Sequence, residues 1–191
     1  ARFIPIYLTP LMVIRSFESV FAGEMPKNSK KWVSIDEISP NAIQAVVSSE
    51  DNLFMKHHGF SIDDIEKAIK HNSKGKRIRG GSTISQQTAK NVFLWPNRSY
   101  IRKGLEAYFT VLIELFWSKE RIMEVYLNVI EMGNGIYGIE AAALEHFGKN
   151  ASKLTKSQSA LIAACLPNPR KYSASHPSSY ILRRKSKIQI G

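Results

Sequence analysis

Three groups of residues in this 191-residue chain have types and spacings that could do chemistry. The first centres on Glu50. Wound as a helix, the segment NAIQAVVSSEDNLF (41 to 54) puts Glu50 on one face with Ile43, Val46, Val47 and Phe54, within about 100° of arc. A partly desolvated carboxylate is a stronger base, fit to exchange a proton with a hydroxyl near neutral pH. The same position equally suits a buried Glu paired with a cation for structural reasons. In the second group, Arg102, Lys103, Glu106 and Thr110 fall on one narrow polar stripe of an otherwise apolar helix. An intrahelical salt-bridge cluster worth a few tenths of a kcal/mol explains the pairing, but not a polar stripe on a helix expected to be buried. The third is a basic run, Lys74, Lys76, Arg77 and Arg79, leading into Gly80, Gly81, Ser82 and Thr83 at a helix start, with Gln86, Gln87 and Lys90 following. Free N–H groups, the positive end of a helix dipole and close backbone approach at glycine make an anion site suited to phosphate or pyrophosphate. A solvated loop with an ordinary cap is the plainer alternative.

The elements that must position these groups are mainly helical, because alternating β-branched runs are scarce and capped segments recur from residue 39 onward. Ser39 and Pro40 open the helix that carries Glu50, and Ser61 opens IDDIEKAIKHN. Thr83 and Gln86 have capping-box spacing, and Pro96 closes that helix. Ser99 caps YIRKGLEAYFTVLIELFW, which is apolar over most of its circumference from Leu105 to Trp117 and is expected to run through the core. Ser118 caps KERIMEVYLNVIEM, which the glycines at 133, 135 and 138 end; IEAAALEHF follows and stops at Gly148. Thr155 and Gln158 precede ALIAACL, and a basic helix is expected from Ser178. Gly133 to Gly138 matches G-x-G-x-x-G, yet it follows a helix rather than a strand and reads as a turn, not a dinucleotide site.

Composition narrows the partners. A hydrophobic content of 43% supports one substantial core, and a formal charge of +11 favours a polyanion, an anionic membrane surface or a phosphorylated substrate. The single Cys165, in an apolar run, excludes an internal disulfide, and the five histidines form no metal-binding spacing. The opening ARFIPIYLTPLMVI is apolar but shorter than the roughly 20 residues of a spanning helix. It reads either as an arm packed on the core or as a membrane contact, and a spanning segment is expected upstream of it. The division expected is an apolar membrane-proximal segment over 1–20 and a catalytic domain over 21–191.

Glu50-Asp51-Asn52-Leu53-Phe54 with His57 or His58 and Gly59, then GGSTISQQTAK (80 to 90), RKGLEA (102 to 107) and KERIMEVYLN (119 to 128), closely resembles the peptidoglycan glycosyltransferase family. GIYGIEAAALEHFGK (135 to 149) and LPNPRKY (166 to 172) extend the likeness from about Trp32 onward, and the type it is most similar to is the monofunctional biosynthetic one. Ser85 stands where the family commonly has Thr, with the hydroxyl retained.

The resemblance implies a lysozyme-like, mainly α domain with a membrane-facing cleft, placed at the outer, periplasmic face of the bacterial inner membrane. It implies polymerisation of lipid II into glycan strands by inverting β-1,4 transfer, with release of undecaprenyl pyrophosphate. Glu50 would be the base, while Glu106, Arg102, Lys103 and Lys90 would hold the pyrophosphate. Gly81, Ser82, Thr83, Gln86 and Gln87 would line the donor site, with Asp51, Phe54, His57 and Asn128 supporting or contacting substrate. No cofactor is required on this reading, though a divalent Mg or Mn at Glu106 is admitted. The partners implied are lipid II, the lipid-linked glycan, an anionic membrane and other cell-wall synthesis or division proteins, with no nucleic acid. Residue chemistry alone leaves two rivals: a lysozyme-like muramidase, and a non-catalytic basic module binding membrane or nucleic acid.

Overall fold

A computed structural model describes residues 2–61, 81–97 and 99–190. Eight α-helices are present among the described residues: α1 Pro10–Phe21, α2 Pro40–Glu50, α3 Ile84–Phe93, α4 Tyr100–Phe116, α5 Lys119–Val129, α6 Ile139–Phe147, α7 Lys156–Cys165 and α8 Ser179–Ile190. The mainly helical expectation holds. The expected helix after Ser61 and the basic run from Lys74 to Arg79 lie outside the described residues.

The predicted caps are formed. Thr83, Ser99, Ser118 and Thr155 each accept a hydrogen bond from the backbone N–H three residues on, and Gly148 ends α6 in the left-handed conformation. Each such cap contributes about 1 kcal/mol by satisfying a donor that the helix leaves unpaired. Ser39 precedes Pro40 at the start of α2 as expected, but its hydroxyl donates to Leu154 O instead, tying the helix start to the chain before α7.

Helix packing forms two groups. In one, α7 lies against α2 and α8; in the other, α3 lies against α4 and α5, and α1 rests on α3. Running through the core is α5, with Ile122, Met123 and every residue from Val125 to Val129 buried. This corrects the expectation for α4. Its inward face is Arg102, Glu106, Thr110 and Ile113, whereas Tyr100, Ile101, Tyr108, Val111 and Leu115 are exposed. Arg102, Glu106 and Thr110 recur every four residues and so share one face of the helix, and the exposed apolar residues occupy the opposite arc. An apolar sequence around a helix therefore did not decide which face turned inward.

Other differences are local. Glu50 is the last residue of α2, because the Asp51 backbone leaves the helical region, and Phe54 reaches the core through a turn closed by its N–H on Asp51 O. Within the apolar opening segment Pro10 starts α1; Met12 is buried, while Phe17, Val20 and Phe21 remain exposed. A small sheet was not anticipated. It has the order β1 (Ser29–Lys30), β3 (Ile136–Tyr137), β2 (Glu131–Gly133), with β1 parallel and β2 antiparallel to β3. The glycine-rich stretch is its β2–β3 turn. At Gly135 (φ +67°) a Cβ would lie 2.3 Å from Lys27 O, so this glycine serves a turn and a close backbone approach.

Candidate active site

Glu50 stands where the two helical groups meet. Its Oε2 accepts a hydrogen bond from Gln87 Nε2 of α3 at 3.2 Å, and its Oε1 accepts one from Ser49 Oγ at 2.9 Å. Gln87 is held in turn by Tyr126 of α5, whose hydroxyl donates to Gln87 Oε1 at 3.3 Å. Arg184 Nη2 of α8 lies 4.0 Å from Glu50 Oε1, and the Glu50 side chain is 15% exposed. The carboxylate is thus held at both oxygens and still partly exposed, with a cation near one of them. Tyr126 is fully buried; burial, then the negative charges of Glu50 and Asp51, raise its phenol well above the usual value, so at neutral pH it acts as a donor.

Beside Glu50 opens a cavity of about 360 Å³ lined by Ser82, Gln87, Lys90, Pro96, Arg102, Lys103 and Glu106. Six of these seven residues were singled out in the sequence. Gln87 joins the cavity to Glu50. Within it, Arg102 Nη1 donates to Glu106 Oε2 at 2.7 Å, and Lys103 pairs with Glu106 Oε1. Both Arg102 and Glu106 are buried, whereas the Lys103 side chain is 50% exposed. The inward polar stripe of α4 therefore faces this cavity. Three cations against one carboxylate leave the lining, among the described residues, two positive charges in excess. Such an excess of positive charge suits the lining to an anion.

The other predicted residues build the frame. Asp51, buried at the end of α2, accepts from the Ile84 N–H at the start of α3 at 2.9 Å and from His57 Nε2 at 2.9 Å. Because the Gly59 N–H donates to His57 Nδ1, the proton of the neutral imidazole is on Nε2, pointing at Asp51. Thr83 Oγ1 donates to Gly59 O at 2.6 Å and accepts from Gln86 N, while the Gln86 side chain returns to Thr83 N. Gly59 has φ +89°, and a Cβ there would lie 2.7 Å from Thr110 Cγ2. These contacts lock the turn after Glu50 onto the N-terminus of α3. Phe54 is buried beneath Lys119, whose ammonium lies 4.6 Å from its ring centroid. Gly81 is half-buried ahead of Ser82. Asn128 is placed apart from the cavity lining: its side chain pairs with the Val33 N–H and C=O at 3.0 and 2.9 Å.

Ser49, Tyr126 and Arg184 were missed. Tyr126 reads as a core aromatic within α5; the one hint was that a buried phenol requires a hydrogen-bond partner. Ser49 and Arg184 are 135 residues apart and carry no sequence signal of proximity.

A divalent metal at Glu106 fits this donor set poorly. Both Glu106 oxygens are engaged by cations, and the described residues contain no cluster of three His, Cys, Asp or Glu side chains able to hold an ion.

Comparison with known proteins agrees with the geometry. The transglycosylase family profile matches residues 18–189. A biosynthetic peptidoglycan transglycosylase of Bacteroides thetaiotaomicron is 60% identical over 98% of this chain and 75% of its own length. Proteins of the same name from Bdellovibrio bacteriovorus and Caulobacter vibrioides are 56% and 54% identical over 98% of this chain, which covers 75% and 79% of their lengths. A carboxylate fixed beside a cation-lined cavity, a family match over nearly the whole chain and relatives sharing more than half its residues lead to one conclusion: the chain belongs to the transglycosylase family.

Proposed function

We propose that this protein is a peptidoglycan glycosyltransferase that polymerises lipid II. The observation that carries the reading is the link, through Gln87, between Glu50 and the cavity holding Lys90, Arg102 and Lys103. Glu50 takes the proton of the acceptor's 4-hydroxyl as that oxygen bonds to the donor's anomeric carbon with inversion. The bond from that carbon to the pyrophosphate breaks, and its electron pair leaves on undecaprenyl pyrophosphate. A pyrophosphate leaving group needs charge neutralisation, not a strong general acid, and the three cations supply it.

A muramidase of lysozyme-like architecture would need a second carboxyl able to protonate a sugar oxygen. Glu106, held between Arg102 and Lys103, is poorly suited to that task. For the membrane, the outward residues Tyr100, Ile101, Tyr108, Val111 and Leu115 of α4, and Phe3, Ile4, Tyr7, Leu8, Phe17 and Phe21 around α1, favour contact with lipid. No helix among the described residues is long and apolar enough to cross a bilayer. We place the catalytic domain on the outer face of the inner membrane, its cleft toward the lipid-linked substrate.

The test is turnover of labelled lipid II in detergent by the wild type and by Glu50→Gln. We expect lysozyme-sensitive polymer from the wild type and at least about a hundredfold lower kcat from the variant, the usual minimum contribution of a general base. Cleavage of preformed glycan with no polymer would favour the muramidase. Salt-sensitive binding to anionic vesicles, unchanged by Glu50→Gln and without either activity, would favour the binding module.

A further inference from the structure

Glu50 is held from a second side, by residues outside the polar stripe and the anion site. Ser49 Oγ lies 2.9 Å from Glu50 Oε1 and 3.3 Å from Ala163 O. Arg184 reaches the same hydroxyl from α8: its Nη2 donates to Ser49 Oγ at 3.0 Å and its Nε to Ala164 O at 3.2 Å. The guanidinium therefore sits against the last carbonyls of α7, where the helix dipole favours a cation. From that anchor its Nη2 stands 4.0 Å from Glu50 Oε1.

A hydroxyl has one proton to give and two lone pairs to offer. Arg184 occupies a lone pair of Ser49, so the Ser49 proton must choose between Glu50 Oε1 and Ala163 O. While Glu50 is a carboxylate, the charged acceptor is the stronger one. Once Glu50 has taken a proton and become neutral, that advantage disappears and the hydroxyl can rotate to Ala163 O. One bond rotation then accommodates both charge states of Glu50 without moving its side chain.

We propose that Ser49 and Arg184 are positioning residues for the transfer step, aligning Glu50 and following its change of charge through the two acceptors of the Ser49 hydroxyl. This rests on Glu50 being the proton acceptor. In that step the acceptor O–H bond breaks, the proton passes to Glu50, the new bond to the anomeric carbon forms, and the electron pair of the breaking bond departs with pyrophosphate. Ser49 and Arg184 neither gain nor lose a proton. Their effect falls on the rate of the step and not on substrate binding, since neither residue lines the cavity that Gln87 joins to Glu50.

The experiment measures kcat and KM on lipid II for Ser49→Ala, Arg184→Met and the double variant, each also in a Glu50→Gln background, with thermal unfolding recorded for all. Each single variant should lower kcat about tenfold, the worth of a hydrogen bond to a charged group, with KM within about twofold. The double variant should fall no further than about twofold below the worse single one, since both act through one hydroxyl. In the Glu50→Gln background neither change should lower the residual rate. Additive losses, a raised KM with unchanged kcat, or an equal loss in the Glu50→Gln background would overturn the proposal. Ser49→Ala leaves the Arg184 bond to Ala164 in place, so wild-type kcat in that variant refutes the idea even if Arg184→Met fails to fold. Full turnover by Glu50→Gln would instead remove the base assignment itself.

Discussion

Asp51→Asn separates framework from substrate binding at this site, because Asp51 is adjacent to Glu50 but buried beneath it. Its carboxylate accepts the first N–H of α3 and the Nε2–H of His57, both at 2.9 Å. His57 Nε2 lies 2.9 Å from both carboxylate oxygens, so an asparagine's amide nitrogen, standing at the place of either oxygen, meets the His57 N–H donor against donor. His57 cannot relieve this by shifting its proton, since Nδ1 already accepts from Gly59 N. One charge-assisted hydrogen bond is lost, worth about 2 kcal/mol, together with a carboxylate at a helix N-terminus, worth about 0.3 to 1 kcal/mol. The expected destabilisation is about 3 kcal/mol, a fall in Tm of about 6 to 12 °C for a chain of this size. Urea unfolding of the wild type, Asp51→Asn, His57→Ala and the double variant provides the measurement, and the cycle should give a coupling above about 0.5 kcal/mol. A loss below about 1 kcal/mol, with lipid II affinity reduced instead, would refute the framework role and make Asp51 a substrate ligand.

Lys103→Met removes the most exposed of the cavity cations; inhibition by inorganic pyrophosphate should weaken about tenfold while unfolding is little changed, and an unchanged inhibition constant would count against the anion site. Burial lowers the Lys30 ammonium to about 8, so between about 8 and the ordinary 10.5 the unfolded chain holds a proton that the folded chain has released. This contribution makes stability rise with pH across that window. Lys30→Met should lose that part of the slope in denaturant midpoints taken at several pH values. Cys165 is buried and its thiol is pushed up to about 11, so thiol reagents at pH 8 should label the native protein only as fast as it opens; rapid labelling of the folded chain would contradict that placement.

Local chemistry made much of this protein legible in its sequence. Caps at Thr83, Ser99, Ser118 and Thr155 depend on a side chain and a backbone N–H three residues apart, and Gly148 needed only its freedom to turn left-handed. The Arg102–Glu106 pair is equally local, set by one helical turn. Which way that helix faced was not. Its apolar residues could be satisfied by a protein core or left on the surface, and only packing against α3 turned Arg102 and Glu106 toward the cavity and Thr110 toward Gly59. Likewise, spacing could place Glu50 on a helix, but its surroundings come from Gln87, Tyr126 and Arg184, distant in the chain and joined only when α3, α5 and α8 converge. Helical periodicity reports neighbours within about two turns; contacts across 37 to 135 residues depend on how whole elements pack, and the environment of Glu50 was decided there.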